Sequence, residues 1–179
     1  MTVKNPKCLV IDASIARASG GIEAFDPIPQ MCRDFLQETL KCGHSIIITD
    51  GLFREWTKHS SKFAWNWYIQ MQRKGKIKRH IGSTEYEELR QAIIQFIEQN
   101  AITNVLKDML LLEAALLADK IVASRDERIK GHFSRAARGI EELRPIVWVN
   151  PTIQDEECII WLRENAQADA YRLLGYLVQ

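Results

Sequence analysis

The chain has 179 residues, 46% hydrophobic and 26% charged, proportions that fit one globular domain and argue against a disordered or fibrous chain. Its net charge of +1 hides an asymmetry: between Arg54 and His80 eight Lys or Arg face one acid, Glu55, so this window carries about +7 and the rest about −6. No apolar run has the length of a membrane span and the N-terminus lacks a signal-peptide core, so a cytoplasmic protein is expected. Cys8, Cys32, Cys42 and Cys158 form no CxxC pair and read as small buried hydrophobes, not a zinc site.

The apolar run Cys8-Leu9-Val10-Ile11 reads as a buried strand ending on Asp12. Ala13 to Ile15 and the Gly20-Gly21 pair read as a loop or short broken helix. Pro27 and Pro29 precede a helix from about Gln30 to Lys41, with Gly43 as its stop. Ser45 to Thr49 is a second strand, and Asp50 is placed to cap a helix that carries Glu55. Ser61 to Lys74 has helical character, ended by Gly75. Thr84 and Glu87 fit a capping box opening a helix to about Asn100. Asn104 is placed to cap a further helix through Asp119, with Asp108 near its start, where the helix dipole favours a carboxylate. Ile121 to Ser124 is a strand running into Asp126, and Ile146 to Val149 is the last strand. The tail, Ile153 to Val178, reads as one or two amphipathic helices. Strands alternating with helices predict a parallel sheet covered on both faces, in a single domain spanning 1–179.

In such sheets ligands gather outside the carboxyl ends of the strands, so Asp12 and Asp126 are expected to meet at one edge. Glu55 starts from the same edge, and the helix of Asp108 can also begin there. Carboxylates side by side repel, and a cation or a proton usually resolves the repulsion. Mg²⁺ and its kin take oxygen ligands, and two such ions about 3.5–4 Å apart can drive phosphodiester hydrolysis. Ser14 and Ser124, two residues from the strand-end acids, are placed to orient a carboxylate or a water. Glu113 and Asp119 lie at the wrong angle or distance on the helix of Asp108 to share that site.

The chain resembles the PIN-domain ribonucleases. The resemblance is carried by Val10-Ile11-Asp12-Ala13-Ser14, by Glu55, and by Lys107-Asp108-Met109-Leu110-Leu111-Leu112-Glu113-Ala114-Ala115 through Val122-Ala123-Ser124-Arg125-Asp126. Asp108 and Asp126 stand eighteen positions apart, the spacing that family shows between its third and fourth acids. The match covers roughly residues 7 to 160 in motif and element order. It implies a three-layer α/β/α sandwich around a mainly parallel five-stranded sheet. It also implies endonucleolytic cleavage of single-stranded or structured RNA with Mg²⁺ or Mn²⁺ on Asp12, Glu55, Asp108 and Asp126, leaving 5′-phosphate and 3′-hydroxyl ends. A homodimer and, for a toxin member, an antitoxin-type inhibitor protein are implied partners. The chain departs from the compact toxins of the family in the basic, aromatic helical segment at about 56–80 and in C-terminal helices at about 153–178.

That segment mixes Trp56, Phe63, Trp65, Trp67 and Tyr68 with Lys58, Lys62, Arg73, Lys74, Lys76, Lys78 and Arg79. Lys and Arg neutralise phosphates, and the run Arg73 to Arg79 suits a positive rim for a polyanion. The aromatics are expected mainly in the core. Arg125 and Arg128 are further candidates for phosphate contact. Competing assignments stay open: a plain helix cap for Asp12 or Asp126, a pairing of Glu55 with Lys58 or His59, and a catalytically inactive RNA-binding or scaffold domain. A phosphatase using Asp12 as nucleophile is disfavoured because Ser14 stands where a second aspartate is needed. No nucleophile elbow, GxGxxG or P-loop is present.

Overall fold

The computed structural model describes residues 2–20, 27–82 and 86–176 of the chain. Five strands, β1 (Cys8–Ile11), β2 (Ser45–Thr49), β3 (Ile77–His80), β4 (Ile121–Ala123) and β5 (Val147–Val149), form an all-parallel sheet ordered β3-β2-β1-β4-β5. The helices before β3 are α1 (Ala13–Ala18), α2 (Pro27–Lys41), α3 (Asp50–His59) and α4 (Lys62–Arg73). Between β3 and β4 lie α5 (Glu87–Ile94) and α6 (Ile102–Leu116), then α7 (Glu127–Ala137) precedes β5 and α8 (Cys158–Arg163) follows it.

The central strands are apolar throughout because both faces are covered. Leu9, Ile11, Ile46, Ile48, Val147 and Val149 turn to one side and pack with residues of α1, α2, α4 and α8. Cys8, Val10, Ile47, Val122 and Trp148 turn to the other and pack with α5, α6 and α7. Two-residue alternation along each strand thus produces two cores and a three-layer α/β/α sandwich. Helix α3 reaches both, with Trp56 in the first core and Leu52 in the second.

The chain steps outward from β1 through β2 to the edge at β3, then returns to place β4 beside β1. The strand order therefore reverses between β1 and β4, which opens a crevice at their carboxyl ends. Val10 pairs with Val122 and Ile11 with Ala123, so the residues following both strands emerge level with one another.

Several boundaries differ from the sequence expectation. Ile77–His80 is a strand rather than part of a helical segment, paired along β2 from Ile46–Ile77 to Thr49–His80. Thr49, not Asp50, caps α3: its hydroxyl accepts from Leu52 N at 3.3 Å. Ser61 caps α4 by accepting from Ala64 N at 3.1 Å, and Gly75 ends the run with φ at +64°. Helix α2 already includes Pro27, and proline's fixed φ suits a first turn. Helix α5 starts only at Glu87, and Thr84 of the expected capping box lies outside the described residues, as do Gly21 and the tail end at Leu177 and Val178. Helix α6 starts at Ile102, so Asn104 sits inside it instead of capping it. The tail holds one six-residue α-helix between short 3-10 turns, not long amphipathic helices. Trp161, Leu162 and Leu174 are buried in this chain's own core, and Leu174 N donates to Ile146 O at 2.8 Å. Among the described residues no helix is long and apolar enough to cross a membrane.

Candidate active site

At the crevice between β1 and β4 a cleft of about 360 Å³ is lined by Asp12, Glu55, Asp108 and Asp126, together with Ser14 and Ser124. The four acids named from the sequence therefore share one cavity, contributed by four different stretches of chain. Asp12 leaves β1 and Asp126 follows β4. Glu55 stands in the second turn of α3. Asp108 comes down from α6, which runs antiparallel to the strands.

Asp12 occupies the cap position of α1 but makes no cap bond there. Its Oδ2 instead accepts the hydroxyls of Ser14 at 2.5 Å and Ser124 at 2.7 Å. Each hydroxyl in turn accepts a backbone amide: Arg125 N donates to Ser14 Oγ at 3.2 Å and Asp126 N to Ser124 Oγ at 3.1 Å. With an amide proton already arriving, each serine's own proton is directed to the carboxylate. The end of β1 and the turn after β4 are thus laced together, and Oδ2 is fixed in direction.

Asp126 divides its capacity. Its Oδ1 caps α7 by accepting from Ile129 N at 2.9 Å, so the plain helix-cap assignment is realised for one of its oxygens. Glu55 Oε2 lies 3.5 Å from His59 Nε2, one turn along α3, and His59 lines the same cleft. The His59 pairing is therefore realised alongside the position in the cleft.

Asp108 is six residues into α6, about 9 Å from its first residue at 1.5 Å per residue. The helix dipole is spent within the first turn, so the sequence argument from the dipole does not hold for this acid. Its surroundings disfavour its charge. Burial, then the carboxylates of Asp12 and Asp126 and more weakly Glu55, push its carboxyl up to about 6, with Lys107 opposing. The charges acting on Asp108 are thus predominantly negative.

The donor set is all oxygen and acidic, which fits a hard divalent cation in kind. The ligand shell is open: among the described residues no three His, Cys, Asp or Glu side chains stand close enough together to surround an ion. Closure on a cation would require the carboxylates to turn inward.

The cleft's own cations are Arg17, Lys107 and Arg128, with Asn104 beside them. Of these only Arg128 was singled out from the sequence. Arg17 sits one turn beyond Ala13 on α1, and Lys107 directly precedes Asp108, so adjacency to the acids was the available signal. The basic run is placed elsewhere. Arg73, Lys74 and Lys76 lie where the chain enters β3, at the amino edge of the sheet, and Lys76 Nζ donates to Gly43 O at 2.8 Å. Lys78 and Arg79 are exposed on the edge strand, with the Arg79 guanidinium 4.6 Å above the Phe53 ring. Lys58 and Lys62 are exposed at the ends of α3 and α4. Arg125 lies half-buried beside the serine relay, its Nε without a hydrogen-bond partner among the described residues.

Glu113 and Asp119 are engaged elsewhere. Glu113 is fully buried and takes Arg90 Nε at 2.6 Å, while Asp119 Oδ2 accepts from Cys8 N at 2.6 Å at the amino end of β1. No family model, no curated protein and no solved structure matches the chain.

Proposed function

We propose that the cleft is the active site of a metal-dependent endoribonuclease, with Asp12, Glu55, Asp108 and Asp126 as the ligands of Mg²⁺ or Mn²⁺. One observation carries this reading: four carboxylates line one cleft at the switch point of a parallel sheet, and the central one, Asp12, is oriented by two hydroxyls instead of capping its helix. A carboxylate held in this way, among others that raise Asp108 to about 6, is an arrangement that binding a cation relieves.

Bound there, Mg²⁺ or Mn²⁺ supplies a nucleophilic water and neutralises charge on the leaving oxygen. The chain's own part is positioning. Ser14 and Ser124 hold the direction of Asp12 Oδ2. Arg17, Lys107 and Arg128 offer donors to the non-bridging oxygens of the phosphates on either side of the scissile bond. The family resemblance supports the same chemistry and the RNA substrate. A toxin or a processing role, an inhibitor partner and a homodimer belong to that resemblance alone.

The open ligand shell favours a second reading, an RNA-binding or scaffold domain without catalysis. One assay divides the two. Labelled RNA is incubated with the protein and Mn²⁺, beside Asp12→Asn, Asp126→Asn and an EDTA control. Cleavage by the parent that disappears in both variants and in EDTA supports the nuclease. Binding without metal-dependent cleavage sinks it in favour of the second.

A further inference from the structure

Of the five tryptophans four are at most 3% exposed, whereas Trp65 is 37% exposed. An exposed indole on a helix is usually mobile, but this one is backed. Its ring stacks on Tyr68 with centroids 5.4 Å apart and planes 11° from parallel. Tyr68 is itself held by Trp56 at 6.0 Å and Phe53 at 6.2 Å, and Trp56 is fixed in the core by donating from Nε1 to Ile11 O at 2.7 Å. The indole is thus the outer tile of a rigid aromatic stack that starts at the end of β1.

Beside Trp65 lies a cavity of about 310 Å³ lined also by Thr57 and Ser60. Ser60 Oγ is buried and has no hydrogen-bond partner among the described residues. A flat aromatic face at an open margin suits a flat ring; of the hydroxyls there, Thr57 Oγ1 already donates to Arg54 O at 3.0 Å.

Charge narrows the occupant. No acidic residue occurs between Glu55 and Glu85, and exposed Lys58 and Lys62 flank the lining residues. Position narrows it again, because His59 lines the carboxylate cleft and Ser60, the next residue, lines this cavity. The two linings thus adjoin in sequence at the end of α3.

We propose that this cavity receives an unpaired nucleobase of a single-stranded RNA, stacked on Trp65, from the strand whose phosphodiester lies in the cleft. The proposal rests on the reading of the cleft as an RNA site. It adds a base-binding subsite on Trp65 to that reading. Base-on-aromatic stacking tolerates any base, so the site selects strandedness rather than sequence.

The test is fluorescence anisotropy in EDTA with a short labelled single-stranded RNA, the same strand carrying abasic positions, and a duplex of equal length. The parent is expected to prefer the base-bearing single strand. Trp65→Ala should weaken that binding about tenfold and erase the preference, and Trp65→Phe should restore most of it. Thermal melts of both variants check the fold. Equal affinity of the parent for the abasic strand overturns the proposal, as does a parent that binds no single strand. So does a Trp65→Ala variant that binds as the parent, or that loses affinity equally for all three ligands. Cleavage with Mn²⁺ is scored separately on the same proteins. Base preference without cleavage fails the nuclease reading and leaves the pocket standing; cleavage indifferent to Trp65 does the reverse.

Discussion

Ser124 Oγ donates to Asp12 Oδ2 at 2.7 Å, linking residues 112 positions apart across the junction of β4 and β1. The bond exists because Ile11 and Ala123 are in register, which brings the two following residues level. It makes the junction a positioning device as well as a piece of backbone. Ser14 reaches the same oxygen from within α1, so Asp12 is gripped from α1 and from the end of β4.

Ser124→Ala removes the donor and leaves Asp126 N without its acceptor. The fold should lose only about 1 kcal/mol, the scale of one hydrogen bond. Metal-dependent cleavage should fall much further, about 10- to 100-fold, as when the outer partners of ligating groups are cut elsewhere. Titrating Mn²⁺ against cleavage rate separates the two effects. Unchanged metal dependence in Ser124→Ala and Ser14→Ala alike would mean that the relay is structural only.

Asp108 gives a prediction of opposite sign for stability and activity. Its folded carboxyl sits near 6, above the ordinary 3.8, through burial and the charges of Asp12, Asp126 and Glu55. The stability this group contributes is full below pH 3.8 and lost as pH rises through about 6. In metal-free protein at neutral pH, Asp108→Asn should therefore raise the melting temperature. The gain should be about 1 kcal/mol once screening of this partly exposed group is counted, and it should shrink toward pH 4. The same variant should not cleave RNA. Saturating Mn²⁺ should raise the melting temperature of the parent and do less for the variant.

How much of this was legible beforehand depends on where each residue's signal lives. Asp12, Ser124 and Asp126 were readable because a buried strand announces itself as an apolar run and its end is then fixed. Glu55 followed from the strand before it. β3 was not readable: Ile77-Lys78-Arg79-His80 carries one apolar residue, since an edge strand buries little and lysines keep such edges from pairing further. Missing it set the basic run at the wrong end of the sheet. Arg17 and Lys107 were missed because a helix face is chosen by tertiary packing, which periodicity in a helix as apolar as α6 does not resolve. The depth of Asp108 in α6 had the same cause, a start at Ile102 with no capping side chain to mark it.

His44 is a buried imidazole away from the cleft. Its Nδ1 accepts from Lys7 N at 2.8 Å, which leaves Nε2–H to donate to Leu162 O at 3.0 Å. Burial lowers its pKa below 6.5, so the neutral ring is the one that fits. Its contribution to stability is present above pH 6.5 and lost as pH falls below it toward the lower folded value. Replacing it by Gln should weaken the fold at about pH 7.5 and less at about pH 5. Asp108 titrates in both proteins and drops out of the difference. Melting curves of parent and His44→Gln that stay parallel across this range would show that the ring does not carry this pH dependence.

The cleft cations and the amino-edge lysines make opposed predictions for substrate binding. Arg17 and Arg128 line the cavity of the four acids, whereas Lys74 and Lys76 lie at the far edge of the sheet. If the phosphates of RNA cross the cleft, Arg17→Ala and Arg128→Ala should each raise KM several-fold. Each should also flatten the salt dependence of binding by about one counterion. Lys74→Ala should leave both unchanged. Lys76→Ala loses its bond to Gly43 O and should cost stability without altering the salt slope. The reverse pattern, with Lys74 dominating the slope, would move the RNA path off the cleft and onto the edge of β3. The acids would then have to be explained without a polyanion beside them.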